Sequence, residues 1–473
     1  MSWTLRPLSA WKLPAEIMER ASSLNAKIVA GRDVPLRSPQ FEGQSASEIL
    51  ANWLKVDKPE TLHPRLQKQE DNEAVKFGPR SIARKWVDRK SSTYSYWIDP
   101  GGDELVPENW EAMNGSYAAL NRRMHPWNPE RTVESMVTNT SSGLPLWAKK
   151  KSEVVGPTLQ NLAEQLEMEY PCLMFTRTQE GGKDRVAWGW PFADSIQEQR
   201  FLRPLMPYLK QLEWRSALIG PDAVDEAVTN LFAHKGDRTV LSIDFSQFDA
   251  SLQPRLLIPA LWELLSPFAM EHFDEISDII ERIVTIGLVT PDGVITGEHG
   301  MSSGSSLTNE GDSWTQYLIA LKSKSLREDL GPYDIQVQGD DGLYAVADVE
   351  GLISVFEQHG LEVNRDKSDH AMDYALYLQR FYHPSYRYGR LLRGVYSTTR
   401  ALNRVVHLER WPGDQSGLSE GEQLSGADYF AIRAISILEN AKWHPWFREL
   451  VLYVARNDRD HLKFTSEGLS AYT

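Results

Sequence analysis

Cysteine is nearly missing from this 473-residue chain: Cys172 stands alone, which excludes an internal disulfide and a cysteine-built zinc cage. That scarcity fits a protein of a reducing compartment. Long apolar runs are missing too. No stretch approaches the roughly 18 residues that cross a bilayer. The opening MSWTLRPLSAWKLPAEIMER has no continuous apolar core of the kind a secretory signal needs. There is no internal repeat and no long low-complexity tract. Positive charge is in the minority, with 51 Lys and Arg against 65 Asp and Glu and a formal net charge of −14. That balance argues against a nucleic-acid partner only on average, because a polyanion needs just a local positive channel.

The rest of the composition, 41% apolar and 25% charged, is that of a soluble globular protein. The length suits two or three ordinary domains or one multi-lobed enzyme. Basic residues are clustered. The segment RYGRLLRGVYSTTRALNRVVHLER (387–410) carries six arginines against one acid, Glu409. A second zone runs from Arg177 through Lys183 and Arg185 to Arg200 and Arg203, and a third holds Arg122, Arg123, Arg131 and Lys149 to Lys151. One such zone is ordinary solvated surface. Three on an acidic chain suggest a guided polyanion.

Residues 1–75 read as short helices broken by loops, and 76–145 as irregular. TLQNLAEQLEMEY (158–170) has helical spacing, and CLMFTRTQ with KDRVAWGWP predicts two strands joined by a basic loop. RTVLSIDF (238–245) predicts a strand ending on Asp244, followed by helices over about 253–265 and 271–286. GLVTPDGVITGEHG predicts a hairpin around Pro291-Asp292-Gly293. A Gly/Ser loop then leads into a long helix. IQVQ and LYAVA read as strands flanking a turn, VEGLISVFEQHG as an amphipathic helix closed by Gly360, and LYLQRFYH as one further strand. After Gly394 the pattern is helical apart from the polar loop 411–426. The plan is α+β.

The turn in VQGDDGLYAV (337–346) places Asp340 beside Asp341, and like charges so close raise each other's pKa. An ordinary hairpin turn uses the same residue types. A second acidic element, LSIDFSQFDASL, holds Asp244 and Asp249, the latter readable on its own as a helix N-cap. If the 238–245 strand pairs beside 335–338, Asp244 and Asp340 face each other. Such a pair can hold two divalent cations about 4 Å apart for in-line phosphoryl chemistry. Hard carboxylates favour magnesium, with manganese as a substitute. In HGMSSGSSLTNEGDSW, Gly304 among small residues lets backbone approach a ligand, and Thr308 and Asn309 open the following helix.

In combination, D-x4-D, S-G-x3-T and G-D-D at these intervals resemble the palm of viral RNA-dependent RNA polymerases, over about residues 177–410. The resemblance implies a right-hand architecture with an antiparallel palm sheet packed on helices. The implied divisions are an N-terminal extension (1–75) bridging fingers and thumb, fingers (76–236), palm (237–265), a fingers insertion (266–298), palm again (299–385), and thumb with tail (386–473). It implies Asp244, Asp340 and Asp341 as ligands of two Mg2+ ions, and Lys367 as the proton donor to departing pyrophosphate, with Arg365 as its rival. Asp249 would sense the ribose 2′-hydroxyl, with Thr308 and Asn309 also at the substrate. Ser303 and Gly304 would hold template and base pair, and Lys183 and Arg185 would grip the triphosphate. Arg393 and Arg400 would line the RNA path. Many positive-strand virus polymerases have asparagine where this chain has Asp312, which leaves Asn309 or Asp312 for the ribose.

KDRVAWGWP, SGSSLTNEGDS, RGVYSTTRALNRVV and ENAKWHPWF are similar to the polymerases of small double-stranded RNA viruses, picobirnaviruses more than partitiviruses. The implied partners are RNA template and product, nucleoside triphosphates and a capsid protein, for a monomer with no membrane attachment. Its implied place is the virion interior and host cytoplasm, with primer-independent initiation and residues 411–426 or the tail as priming platform. The rival readings are a reverse transcriptase or other palm polymerase, and a non-catalytic RNA-binding protein associated with a capsid. Reverse transcriptases typically carry an aromatic residue at the place of Asp249.

Overall fold

Side chains that alternate between two separate cores define the central sheet. In the strand Asp341–Val346, Leu343 and Ala345 pack with Val224, Val228 and Leu231 of the helix Pro221–His234, while Tyr344 and Val346 face the opposite side. There they join Leu261 of the helix Pro254–Leu265, Trp314 of Thr308–Ala320 and Phe356 of Val349–Gln358. A strand covered on both faces takes a central place. The computed structural model describes residues 3–58, 61–106, 123–328, 330–331, 333–411 and 426–472. Within these, the order of the 4-stranded sheet is Asp369–Ala371, Thr239–Ile243, Asp341–Val346, Ile335–Gln338, with every pairing antiparallel. The expected direct pairing of 238–245 with 335–338 is therefore corrected. Asp341–Val346 lies between them, because its two apolar faces need helices on both sides.

A 5-stranded sheet lies apart, in the order Thr4–Arg6, Gly293–Thr296, Leu288–Thr290, Cys172–Thr178, Asp184–Gly189. Only the pairing of Cys172–Thr178 with Leu288–Thr290 is parallel. The strand Thr4–Arg6 is an addition to the sequence reading. All its residues are exposed, so no apolar alternation marks it. The helices Ala15–Ala30, Ala46–Lys55 and Pro64–Val75 follow. Ile49, Trp53 and Leu66 pack with Leu402, Val405, Leu438 and Leu450, and Leu36–Arg37 pairs with His407–Leu408. The first 75 residues thus touch both the 5-stranded sheet and the C-terminal helices.

Three further expectations change. LYLQRFYH is a hairpin of Ala375–Tyr377 and Arg380–Tyr382, reversed at Leu378 and Gln379, which both take positive φ. The helix over 158–170 is interrupted at Asn161, giving Val155–Gln160 and Leu162–Glu167. Residues 76–145 contain the helix Trp86–Tyr94. No helix among the described residues is long and apolar enough to cross a membrane. The proposed priming loop 411–426 falls, but for its two ends, outside the described residues.

Candidate active site

The acidic turn is built by a two-residue hairpin. Gln338 pairs with Asp341, leaving Gly339 and Asp340 at the tip, and Gly339 takes the φ of +63° that such a turn demands. On the neighbouring strand Ile243 pairs with Gly342, so the next step brings Asp244 opposite Asp341. The segment after Asp244 is fixed by its main chain: Asp244 N–H donates to Ser368 Oγ at 3.0 Å, and its carbonyl accepts from Asn364 N–H at 2.8 Å. Lys367 lies in that same turn, with Nζ 3.7 Å from Asp244 Oδ1. Its rival Arg365 is occupied by Glu350 and Glu357.

Electrostatics at the turn follow from crowding. Burial pushes Asp341 up to about 7, helped by the charges of Asp340 and Asp244. Burial and the Asp340 charge push Asp249 up to about 6. Asp244 is raised by burial and by Asp340, against the pull of Lys367 and Lys183. Asp244 Oδ1 accepts no hydrogen bond from the described residues. Hard oxygen donors, mutual repulsion and an unsatisfied oxygen are what a divalent cation would relieve, so the residues fit one. The three carboxylates are nonetheless spread. Among the described residues, two sets of three ligand atoms lie within 4.8 Å of one another, His63/Asp373/His383 and His125/Glu271/His272, and the acidic trio is not a third.

A cavity of about 610 Å³ opens beside the turn, lined by Lys183, Arg185, Asp249, Ser303, Gly304 and Asp340 among others. Six residues singled out from sequence therefore share one space. Burial lowers the Lys183 ammonium, with the Arg185 and Lys367 charges adding to it, and Asp244 and Asp340 oppose the shift. Ser303 lines the cavity with Asp249, and its carbonyl accepts from Trp188 N–H at 3.0 Å, tying the loop to the strand Asp184–Gly189. Gly304 has a φ of +128°, and a Cβ there would stand 2.2 Å from the Trp188 carbonyl oxygen.

The remaining candidates have other duties. Thr308 Oγ1 accepts from Gly304 N–H at 3.3 Å and so closes the loop. Asn309 Oδ1 accepts from Gln338 Nε2 at 2.8 Å, and Ser313 Oγ accepts from Gly339 N–H at 2.8 Å, so both brace the acidic turn. Asp312 is buried beneath, raised well above the usual carboxylate range by burial and by Asp249, Asp340 and Glu310. Arg400 reaches Glu180 at 3.1 Å, yet its charge is felt at Asp341. Arg393 is not brought to the cavity: it bonds Asp222 and Asp225 and lies over the Trp443 ring.

Sequence reasoning missed Tyr96, which lines the cavity, and the buried Arg215–Glu310 ion pair, whose Arg215 also donates to the Val337 carbonyl at 3.1 Å. It also missed Glu198, which accepts from Ser305 Oγ and Ser306 N–H at 2.6 Å each. Glu310 falls within SSLTNEGDS, and the others belong to no motif. Each is distinguished by burial and by partners distant in sequence.

Comparison with known proteins gives the family and the fold. A family model described as viral RNA-dependent RNA polymerase matches residues 96–432. A potential RNA-dependent RNA polymerase of human picobirnavirus (strain Human/Thailand/Hy005102/-) is 30% identical over 466 residues, covering 92% of this chain and 85% of the relative. The crystal structure of a human picobirnavirus RNA-dependent RNA polymerase superposes with a TM-score of 0.83 at 26% identity, covering 99% of this chain and 92% of that one. An insertion-loop deletion mutant of a human picobirnavirus polymerase gives the same TM-score over 97% and 94%.

Proposed function

The chain belongs to the viral RNA-dependent RNA polymerases, and from that premise we propose that it joins nucleotides on an RNA template by two-metal transfer at the Asp340–Asp341 turn. The observation that carries this reading is that Lys183, Arg185, Asp249 and Asp340 line one cavity. In the reaction the 3′-hydroxyl loses its proton to solvent, its oxygen bonds to the α-phosphorus, the bond from that phosphorus to the bridging oxygen breaks, and pyrophosphate leaves.

Polymerases of this family use divalent metal ions, and Asp244, Asp340 and Asp341 would hold them, Mg2+ first. When bound, the ions supply charge neutralisation at the attacking hydroxyl and the leaving phosphate. The chain's own groups do the positioning. Lys183 and Arg185, which line the cavity together with Asp340, bind the triphosphate. Lys367, beside Asp244 and largely exposed, gives its Nζ proton to the departing pyrophosphate. Asp249, beside Ser303 on the cavity wall, faces the ribose. With Asn309 committed to Gln338 and Asp312 buried, the pair Asp249–Ser303 is the ribose sensor.

The same reading assigns the 5-stranded sheet to the fingers, the 4-stranded sheet to the palm and the helices after 398 to the thumb. It also takes initiation as primer-independent, within a capsid, by a monomer. Incorporation of NTPs on a single-stranded RNA template with Mg2+ and no primer tests it. Full-length product is expected from wild type and at least 10³-fold less from Asp340→Ala. Product only with a primer removes the initiation claim, and preference for dNTPs moves the enzyme to the reverse transcriptases. Equal product from wild type and variant overturns the assignment of the turn.

A further inference from the structure

Away from the nucleotide cavity, three ligand atoms converge. His125 Nδ1 lies 3.1 Å from Glu271 Oε1 and 3.1 Å from His272 Nε2, and His272 Nε2 lies 3.4 Å from the same Glu271 oxygen. A tetrahedral zinc ion with bonds of about 2.0–2.1 Å keeps its ligands about 3.3–3.4 Å apart. The three sides of the triangle match edges of that tetrahedron. His125 and Glu271 are exposed, so a fourth position would be open to water.

The protons support the same conclusion. His272 Nδ1 is 3.1 Å from Glu275 Oε1, and a carboxylate there holds the ring proton on Nδ1, turning the Nε2 lone pair toward the triangle. Glu275 is itself held by Arg200 Nη1 at 2.6 Å and Gln197 Nε2 at 3.1 Å. Two acceptors, His272 Nε2 and the Glu271 carboxylate, thus meet at His125 Nδ1, where a cation can take the place of the ring's own proton. Main-chain pairing holds the parts in place: Met124 N–H donates to the Pro267 carbonyl at 3.0 Å, and Ala269 N–H to the Met124 carbonyl at 2.9 Å.

The other close trio lacks this arrangement. His63 Nδ1 accepts from Arg65 N–H at 3.1 Å and His383 Nδ1 from Ser385 N–H at 3.0 Å. Each of those neutral rings carries its proton on Nε2, which leaves no lone pair there for a metal.

We propose that His125, Glu271 and His272 form a site for one borderline divalent transition cation, Zn2+ first, with Glu275 orienting His272. Two imidazoles and a carboxylate suit zinc better than magnesium. The ion would staple the segment around His125 to the start of the helix Phe273–Thr285, a stabilising role separate from nucleotide transfer.

Isothermal titration of untagged, chelator-stripped full-length protein with Zn2+, under excess Mg2+ to occupy the carboxylates of the acidic turn, tests the proposal. One equivalent bound at about 10 μM or tighter is expected. His125→Ala and Glu271→Gln should each weaken binding at least tenfold, Glu275→Gln about tenfold, and His63→Ala not at all. Co2+ should give the strong visible absorption of a tetrahedral site in wild type and lose it in His125→Ala. Circular dichroism of the two variants should match wild type, since both side chains are exposed. No Zn2+ uptake below about 100 μM, or equal affinity in wild type and His125→Ala, overturns the site.

Discussion

Gly304 shows how much a single residue can settle. Its φ of +128° already excludes most side chains, and an added methyl group would collide with the Trp188 carbonyl. Gly304→Ala must therefore move the loop away from Asp249, and a displacement near 1 Å at a reacting site costs about 10²-fold in rate. Single-nucleotide incorporation should fall by that order while the melting temperature shifts little. Unchanged incorporation would mean the loop has slack. Lys367→Ala removes the exposed amine beside Asp244 and should lower kcat about 10²-fold without a matching rise in KM. A rise in KM alone would make Lys367 a binding group. Gly304 was legible from the small residues around it, whereas Lys367 was legible only through the resemblance to the polymerase family. Arg393 was not legible in the same way. Its partners Asp222 and Asp225 lie 171 and 168 positions away on a helix, and nothing in RLLRGVY announces them.

At the level of elements, the loop 302–307 is held from behind by a helix that carries no motif. Glu198 on Phe192–Leu209 grips Ser305 and Ser306, and its burial pushes it up to about 7. A carboxyl raised on folding binds more protons in the folded than in the unfolded chain, so stability falls as pH rises. The cost is absent below its ordinary value of 4.5 and complete above about 7. Glu198→Gln does not ionise, so from pH 5 to pH 8 the variant should gain on wild type by roughly 3 kcal/mol. Urea unfolding at the two pH values checks this, and a constant gap would show that Glu198 titrates normally. The strands of this region were readable because Leu241, Ile243, Leu343 and Ala345 alternate with the pleat. The short exposed strand Thr4–Arg6 and the helix bearing Glu198 were not placed. One has no buried face, and the other is recognised only by what it touches.

On the scale of the molecule, the first 75 residues touch both the 5-stranded sheet and the C-terminal helices, and one buried carboxylate is central to their join with those helices. Glu70 accepts hydrogen bonds from the N–H and hydroxyl groups of both Thr398 and Thr399 at 2.5–3.0 Å, and His444 Nε2 lies 3.2 Å away. The two threonines open the helix Thr398–Val406, so Glu70 also satisfies N–H groups that a helix N-terminus leaves without partners. Burial alone would raise Glu70, yet the adjacent His444 ring and the bonds from Thr399 bring it below the ordinary carboxylate value. Its stabilisation is therefore complete above pH 4.5 and is lost as pH falls through the lower folded value. Glu70→Ala leaves those donors buried and unpaired, and removal of one member of such a network costs about 3–5 kcal/mol. Unfolding at pH 7 should show that loss, together with earlier proteolysis between the N-terminal helices and the rest. Near pH 3 the difference between wild type and variant should shrink. A loss under about 0.5 kcal/mol at pH 7 would put the join in the apolar packing of Trp53, Leu66 and Leu402, and the carboxylate would then be incidental.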